Sequence, residues 1–126
     1  MARKPAVELA KEWLDHAAYG DSEGMVELLA DDAVFYAEQI RGKRFRGREE
    51  IEEFLLETGL EATGYTYTPV DHEYAVVTLS LRRHLKTGGL ADSNLAMVFK
   101  ADGDEIVCMD VFATEREALA SLRSAA

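Results

Sequence analysis

The spacing of apolar residues changes at Tyr65, and that change constrains the fold more than any other feature of the chain. Upstream, apolar side chains recur mainly every three or four residues, the period of an amphipathic helix. From Tyr65 onward they alternate, the period of a strand with one buried face. Tyr65-Thr66-Tyr67-Thr68 reads as a short strand. Ala75 to Leu85 reads as a longer one, with Val77, Leu79 and Leu81 on one face and Thr78, Ser80 and Arg82 on the other. Lys86-Thr87-Gly88-Gly89 marks a turn and Ala91 to Lys100 a further strand. Asp102-Gly103 is a strong hairpin signal, and Ile106 to Phe112 reads as the last strand. Consecutive strands of this kind form an antiparallel meander, whose apolar face must be buried by another layer.

The upstream half supplies that layer. Ala6, Ala10, Trp13, Leu14, Ala17 and Ala18 make the stripe of a first helix, with Pro5 suited to its opening turn and Gly20 stopping it. Asp21 or Ser22 caps a short second helix carrying Met25, Val26, Leu28 and Leu29, which Ala30-Asp31-Asp32 ends. Ala33 to Ile40 reads as a strand, with Phe35 and Tyr36 as strand formers. After Gly47 a third helix runs to about Thr58 on Ile51, Phe54 and Leu55, with four glutamates in its first turns where the helix dipole favours them. Gly59 and Gly64 break the pattern. Thr114-Glu115-Arg116-Glu117 has the form of a capping box for a closing helix with Ala118, Leu119 and Leu122 inward.

Composition narrows the function classes. A chain of 126 residues suits one domain, and 48% hydrophobic with 30% charged residues excludes disorder of its body. A net charge of −10 argues against nucleic acid and anionic membrane surfaces as partners. No apolar run approaches the roughly 20 residues that span a bilayer, and no signal-peptide pattern opens the sequence. The single Cys108 excludes an internal disulfide and points to a reducing compartment, so a cytoplasmic protein is expected. No P-loop, dinucleotide fingerprint, zinc spacing, serine-nucleophile motif or nucleic-acid signature is present. No cofactor and no metal site are expected.

Several residues carry a family resemblance. Trp13 to Asp32, with Tyr19-Gly20-Asp21 and Leu29-Ala30-Asp31-Asp32-Ala33, resembles the opening of NTF2-like proteins, in their SnoaL-like and ketosteroid-isomerase-like branch. Phe45-Arg46-Gly47-Arg48-Glu49-Glu50-Ile51-Glu52-Glu53-Phe54 is similar to that branch's entry to its third helix. Val98-Phe99 through Asp102-Gly103 to Ile106-Val107 is similar to its penultimate hairpin. The resemblance implies an α+β cone over residues 1–126. Its curved, antiparallel or mixed sheet is backed by about three helices, with a short C-terminal helix. It does not imply one activity, because the fold hosts isomerases, cyclases, hydratases, hydrolases and non-catalytic binders.

The branch's isomerases use an Asp base with a Tyr and a protonated Asp as oxyanion hole. Carried over by position, the Tyr falls on Trp13, the base on Ala37 and the second Asp on Leu95, so that mechanism is not expected here. The loop after the first strand is about one residue longer than in the isomerases, and a bulge would set Glu38 in the base's place. The same register implies a pocket lined by Trp13, Phe35, Ala37, Phe54, Leu55, Val77, Leu79, Leu81, Leu95, Met97, Phe99, Met109 and Val111. Arg83 shares that parity near one end.

Other candidates have two readings each. Asp110 lies in an otherwise apolar strand. It is either an acid–base group raised by desolvation or an outer-face residue paired with Arg82 or His84 at a dimer contact. His84 shares its face with Thr78, Ser80 and Arg82, and His16 lies beside Asp15; both suit solvated or interfacial positions. Asp71-His72-Glu73 suits a solvated turn better than a metal site. Arg41, Lys43, Arg44, Arg46 and Arg48 form either an anion site or a charged sheet edge that resists pairing.

Three functions stay open: a binder of a small hydrophobic molecule, a cofactor-free acid–base enzyme using Glu38 or Asp110 with Arg83, or a dimerisation scaffold with a filled core. A homodimer is expected through the face carrying Thr78, Ser80, Arg82, Asn94, Ala96, Val98, Cys108, Asp110 and Phe112, on the premise that helices cover only the opposite face.

Overall fold

The computed structural model describes residues 4–37, 43–58, 61–84 and 90–125. The chain runs α1 (Ala6–Ala18), α2 (Ser22–Glu27), β1 (Leu29–Ala37), β2 (Lys43–Arg46), α3 (Gly47–Thr58), β3 (Glu61–Pro69), β4 (Tyr74–His84), β5 (Leu90–Asp102), β6 (Glu105–Phe112) and α4 (Glu115–Ala125). The strands form one curved, unclosed sheet in the order β2-β1-β6-β5-β4-β3. The meander β3 to β6 is antiparallel throughout. β1 joins it parallel to β6, which makes the sheet mixed. This is the expected α+β cone.

Local chemistry sets most boundaries. Pro5 is the N-cap of α1, one residue before its expected place in the first turn. The Ala6 amide donates to the His72 carbonyl at 2.8 Å and ties α1 to the β3–β4 turn. That turn is built by Asp71, whose Oδ1 accepts from the amides of Glu73 (2.9 Å) and Tyr74 (2.8 Å). Asp21 caps α2 by accepting from the Gly24 amide at 2.9 Å. Thr114 caps α4 by accepting from the Glu117 amide at 3.1 Å. Gly47 (φ 87°) and Gly103 (φ 67°) take left-handed backbone at the β2–α3 junction and the β5–β6 hairpin, where a side chain would strain the chain.

Four readings need correction. β1 starts at Leu29, not Ala33, because Leu29 pairs with Ile106 and the Ile106 amide donates to the Leu28 carbonyl at 2.8 Å. Asp31 and Asp32 therefore lie in a strand rather than ending a helix, with their side chains exposed. The strand expected from Tyr65 starts earlier, at Glu61, and takes in Gly64, where pairing with β4 shifts between Thr63 and Thr66. The basic segment, by contrast, contains an edge strand, β2, with Arg44 and Arg46 exposed, in keeping with the charged-edge reading. The expected Lys86–Gly89 turn lies outside the described residues.

The fourth correction concerns the layers. α1, α2 and α3 pack on one sheet face over the main core, which includes Leu9, Leu14, Ile51 and Ile106. α4 packs on the other face, where Ala118, Leu119 and Leu122 meet Val76, Ala96, Val98 and Phe112. Helices thus cover both faces, and the premise of the expected dimer does not hold. The apolar patch around Val98 is buried by the chain's own last helix.

Candidate functional site

The inner face of the sheet is laid out in rows by strand register. Phe45, Phe35, Met109, Phe99 and Ala75 follow one another across β2, β1, β6, β5 and β4. The next row holds Val111, Met97, Val77 and Tyr67. Beyond it Leu79 pairs with Leu95. Helix side chains close over these rows. Trp13 of α1 meets Phe99 and Phe35 edge-on, with ring centroids 5.7 and 6.4 Å away. Phe54 of α3 meets Phe35 edge-on at 5.5 Å and stacks on Phe45 at 4.5 Å. Edge-to-face aromatic contacts of this kind add to plain area burial.

Trp13, Phe35, Phe54, Val77, Leu79, Met97, Phe99, Met109 and Val111 are all buried in one core cluster, and Leu95 is half-buried against it. That they share a core is a packing fact; that they hold a ligand is a proposal taken up below. The side chains of Ala37, Leu55, Leu81 and Arg83 lie outside the described residues, as does Glu38 entirely. Pairing from Val34↔Arg46 to Ala37↔Lys43 is regular, and the irregularity of β1 against β6 falls earlier, between Leu29 and Val34. An irregularity thus does fall within β1, upstream of Ala37, while the position of Glu38 lies outside the described residues.

Asp110 is placed away from this interior. It pairs with Val98 in β5 and Tyr36 in β1, on the face that α4 covers, while its neighbours Met109 and Val111 belong to the inner core. Cys108 lies two residues away on the same strand. Burial pushes its thiol up, Asp110 adds to the effect and Lys100 opposes it. The raised value makes Cys108 a poor nucleophile.

Two interior aromatics escaped the sequence reading. Tyr65 and Tyr67 are half-buried against the core, with centroids 6.2 Å apart. Lys11 Nζ sits 5.3 Å above the Tyr67 ring. Burial, with the Asp15 carboxylate second, raises both phenols. Their i, i+2 spacing, in the alternation that placed Val77 and Leu79 inward, was the signal available.

The remaining charged candidates have structural partners or exposed settings. Arg48 directs Nε and Nη2 to the Leu29 carbonyl at 2.8 and 2.6 Å, and lies 3.4 Å from Asp31 and 3.5 Å from Glu105. It clamps α3 to β1 and β6 rather than offering its guanidinium to an outside anion. His16 Nδ1 is 3.0 Å from Asp21 Oδ2 on the surface, and His72 is exposed in its turn. The side chains of Arg82 and His84 are outside the described residues. Among the described residues no group of His, Cys, Asp or Glu could hold a metal ion, and no helix is long and apolar enough to cross a membrane.

One polar atom in the interior stands out. Among the described residues no polar or charged residue is buried in the core. Trp13 is 4% exposed, and its indole Nε1 is sealed from solvent without a hydrogen-bond partner among them.

Comparison with known proteins places this architecture. No curated protein matches the chain. Among solved structures, RV0760c from Mycobacterium tuberculosis in complex with estradiol-17β-hemisuccinate is 17% identical, with a TM-score of 0.76 over 90% of this chain and 97% of that one. The Δ5-3-ketosteroid isomerase from Mycobacterium sp. is 19% identical, with a TM-score of 0.72 over 90% and 95%. A computationally designed 17-OHP binder is 15% identical, with a TM-score of 0.74 over 90% and 95%. At these identities the likeness establishes the fold alone. The family model of the SnoaL-like domain matches residues 10–114, most of the sequence, and the chain belongs to that family.

Proposed function

We propose that the cone interior binds a small, mainly apolar molecule. The observation that carries this is the inner sheet face itself. β1, β4, β5 and β6 all turn apolar side chains into it, and α1 and α3 close over it with aromatic rings. Such a surface recognises a ligand by burying its apolar area, at roughly 25 cal/mol per Å² before the costs of association are deducted. Similar folds that hold estradiol-17β-hemisuccinate or were designed for 17-OHP support the size class, that of a steroid or polycyclic molecule. Binding is favoured over acid–base catalysis because Asp110 stands on the other face and no ionisable side chain is buried among the described residues. The chain's place of action is proposed to be the cytoplasm, on the grounds of its lone cysteine and acidic balance.

The homodimer is proposed in a narrower form than the sequence suggested. A second copy would meet the outer face beyond α4, around Thr78, Ser80 and Asn94, where Ser80 Oγ donates to Asn94 Oδ1 at 2.7 Å. It would not cover Val98 and Phe112, which α4 already packs against.

Native mass spectrometry of the purified protein tests the binding reading. The expected spectrum shows one neutral steroid taken up per 14.0 kDa chain of the homodimer and lost on unfolding. A spectrum unchanged by steroids and by smaller polycyclic molecules would remove the proposal.

A further inference from the structure

Resting on the interior as a binding cavity, the end of β6 adds a second region to it. β6 stops pairing at Phe112, opposite Ala96, and the chain turns away through Ala113 and Thr114 into α4. β5 extends past that point. Its Leu95 and Asn94 pair with Leu79 and Ser80 of β4 and with no described residue of β6. The sheet therefore has a notch beside these two residues, and a cleft of about 340 Å³ lies there. Its walls include Leu79 and Leu95, from the core side of the sheet. They also include Thr78, Ser80 and Asn94, from the side of Ala96 and α4. Leu95 is half-buried where Leu79, Met97 and Phe99 are buried, because no β6 side chain covers it. The notch is thus where the apolar wall meets hydrogen-bonding side chains.

Those side chains are already oriented. Ser80 Oγ donates to Asn94 Oδ1 at 2.7 Å, which holds the amide by its oxygen. The two Nδ2 protons have no acceptor among the described residues, and Asn94 is exposed. Ser80 Oγ keeps lone pairs that can accept. We propose that the notch is a second subsite, where a neutral hydroxyl group carried on the ligand's apolar body accepts from Asn94 Nδ2 and donates to Ser80 Oγ.

Charge selects the hydroxyl over an ion. No described cation lines the cleft, and Glu115 at its rim repels a carboxylate or phosphate. Glu115 stands in the first turn of α4, whose positive end already answers its charge, so it holds an ammonium group weakly. A pure hydrocarbon would strip water from the Asn94 amide and return no hydrogen bond. A hydroxyl supplies both an acceptor and a donor and brings no charge.

The test uses 2-(2-naphthyl)ethanol and 2-propylnaphthalene, which differ by a terminal OH against CH3. Calorimetric titration compares both probes on the parent protein and on Asn94→Leu. The affinity of the alcohol relative to the hydrocarbon should fall about tenfold in Asn94→Leu, the yield of one net hydrogen bond. Comparing two probes on one variant cancels what the substitution does to packing, or to the proposed dimer contact on the same face. Asn94 is the single asparagine of the chain. In the parent its side-chain amide resonances should move with the alcohol and not with the hydrocarbon, a readout that stands even if Asn94→Leu does not fold. On the parent, 2-naphthylacetate should bind more than tenfold more weakly than the alcohol. A relative affinity unchanged by Asn94→Leu, or amide resonances indifferent to the hydroxyl, would overturn the subsite and leave the cavity intact; a second copy seated in the cleft would give that result. Tighter binding of 2-naphthylacetate or of protonated 2-(2-naphthyl)ethylamine than of the alcohol would overturn the neutral class. Binding of none of the probes would overturn the cavity reading, and the proposal with it.

Discussion

Replacing Leu79 by aspartate puts a carboxylate into the inner wall of the cone. Leu79 is 3% exposed and pairs with Leu95, next to Val77 and Met97 in the core. Losing its apolar burial costs about 2 kcal/mol. Among the described residues the new carboxylate has no buried cation or polar partner, which adds several kcal/mol, for a total of about 5 kcal/mol. That is a large part of the roughly 5–15 kcal/mol that holds a domain together. The sign of the pH dependence follows from the same desolvation. Burial raises the folded-state pKa of the new carboxyl above its unfolded value, so the folded state holds the proton more tightly. The deficit is therefore smallest near about pH 4 and grows as pH rises through the unfolded and then the folded pKa. Urea unfolding followed by Trp13 emission reads both effects, since the chain has one tryptophan. Thr78→Asp, on the opposite face of the same strand, is the control and should cost about 1 kcal/mol without this pH trend. A Leu79→Asp variant as stable as Thr78→Asp, or one with a pH-independent deficit, would refute the placement of Leu79.

The other predictions are these. Arg48→Met should cost about 2 kcal/mol in urea melts, because the Leu29 carbonyl loses a charged, forked donor; Arg48→Lys should recover only part of it. Ala118→Glu, at a fully buried position of α4, should release that helix from the sheet and raise binding of an apolar dye to the uncovered Val76, Ala96, Val98 and Phe112; unchanged dye binding would contradict the packing of α4. Cys108 should alkylate more slowly in the folded protein than in urea at about pH 8, because burial raises its thiol and shields it; equal rates would contradict its burial.

What the sequence revealed was whatever local chemistry encodes. The stripe of Trp13 and Leu14, the start of α3 at Gly47, the hairpin at Asp102-Gly103 and the Thr114 cap all follow from neighbours within a few positions, and all appear in the structure. Features that depend on distant partners did not show. Two aspartates after Leu29 look like the end of a helix, and only the pairing with Ile106, far along the chain, turns that segment into β1. The helical signal of α4 was plain, but nothing local says on which face of the sheet an amphipathic helix docks. The alternation that set Val77 and Leu79 on one face agrees with their burial in the main core, yet Tyr65 and Tyr67 passed as strand formers because their hydroxyls masked their inward parity. The unpartnered Trp13 Nε1 is a property of packing around one atom, invisible to any spacing rule.

The account turns on whether the interior admits a ligand, and emission from Trp13 reports on it directly. Titration with progesterone, a neutral steroid ketone, should give a saturable one-to-one change in emission in the parent protein and none in Leu79→Asp under conditions where that variant stays folded. An emission spectrum unmoved by progesterone up to its solubility limit, or a change that never saturates and persists in Leu79→Asp, would contradict the account.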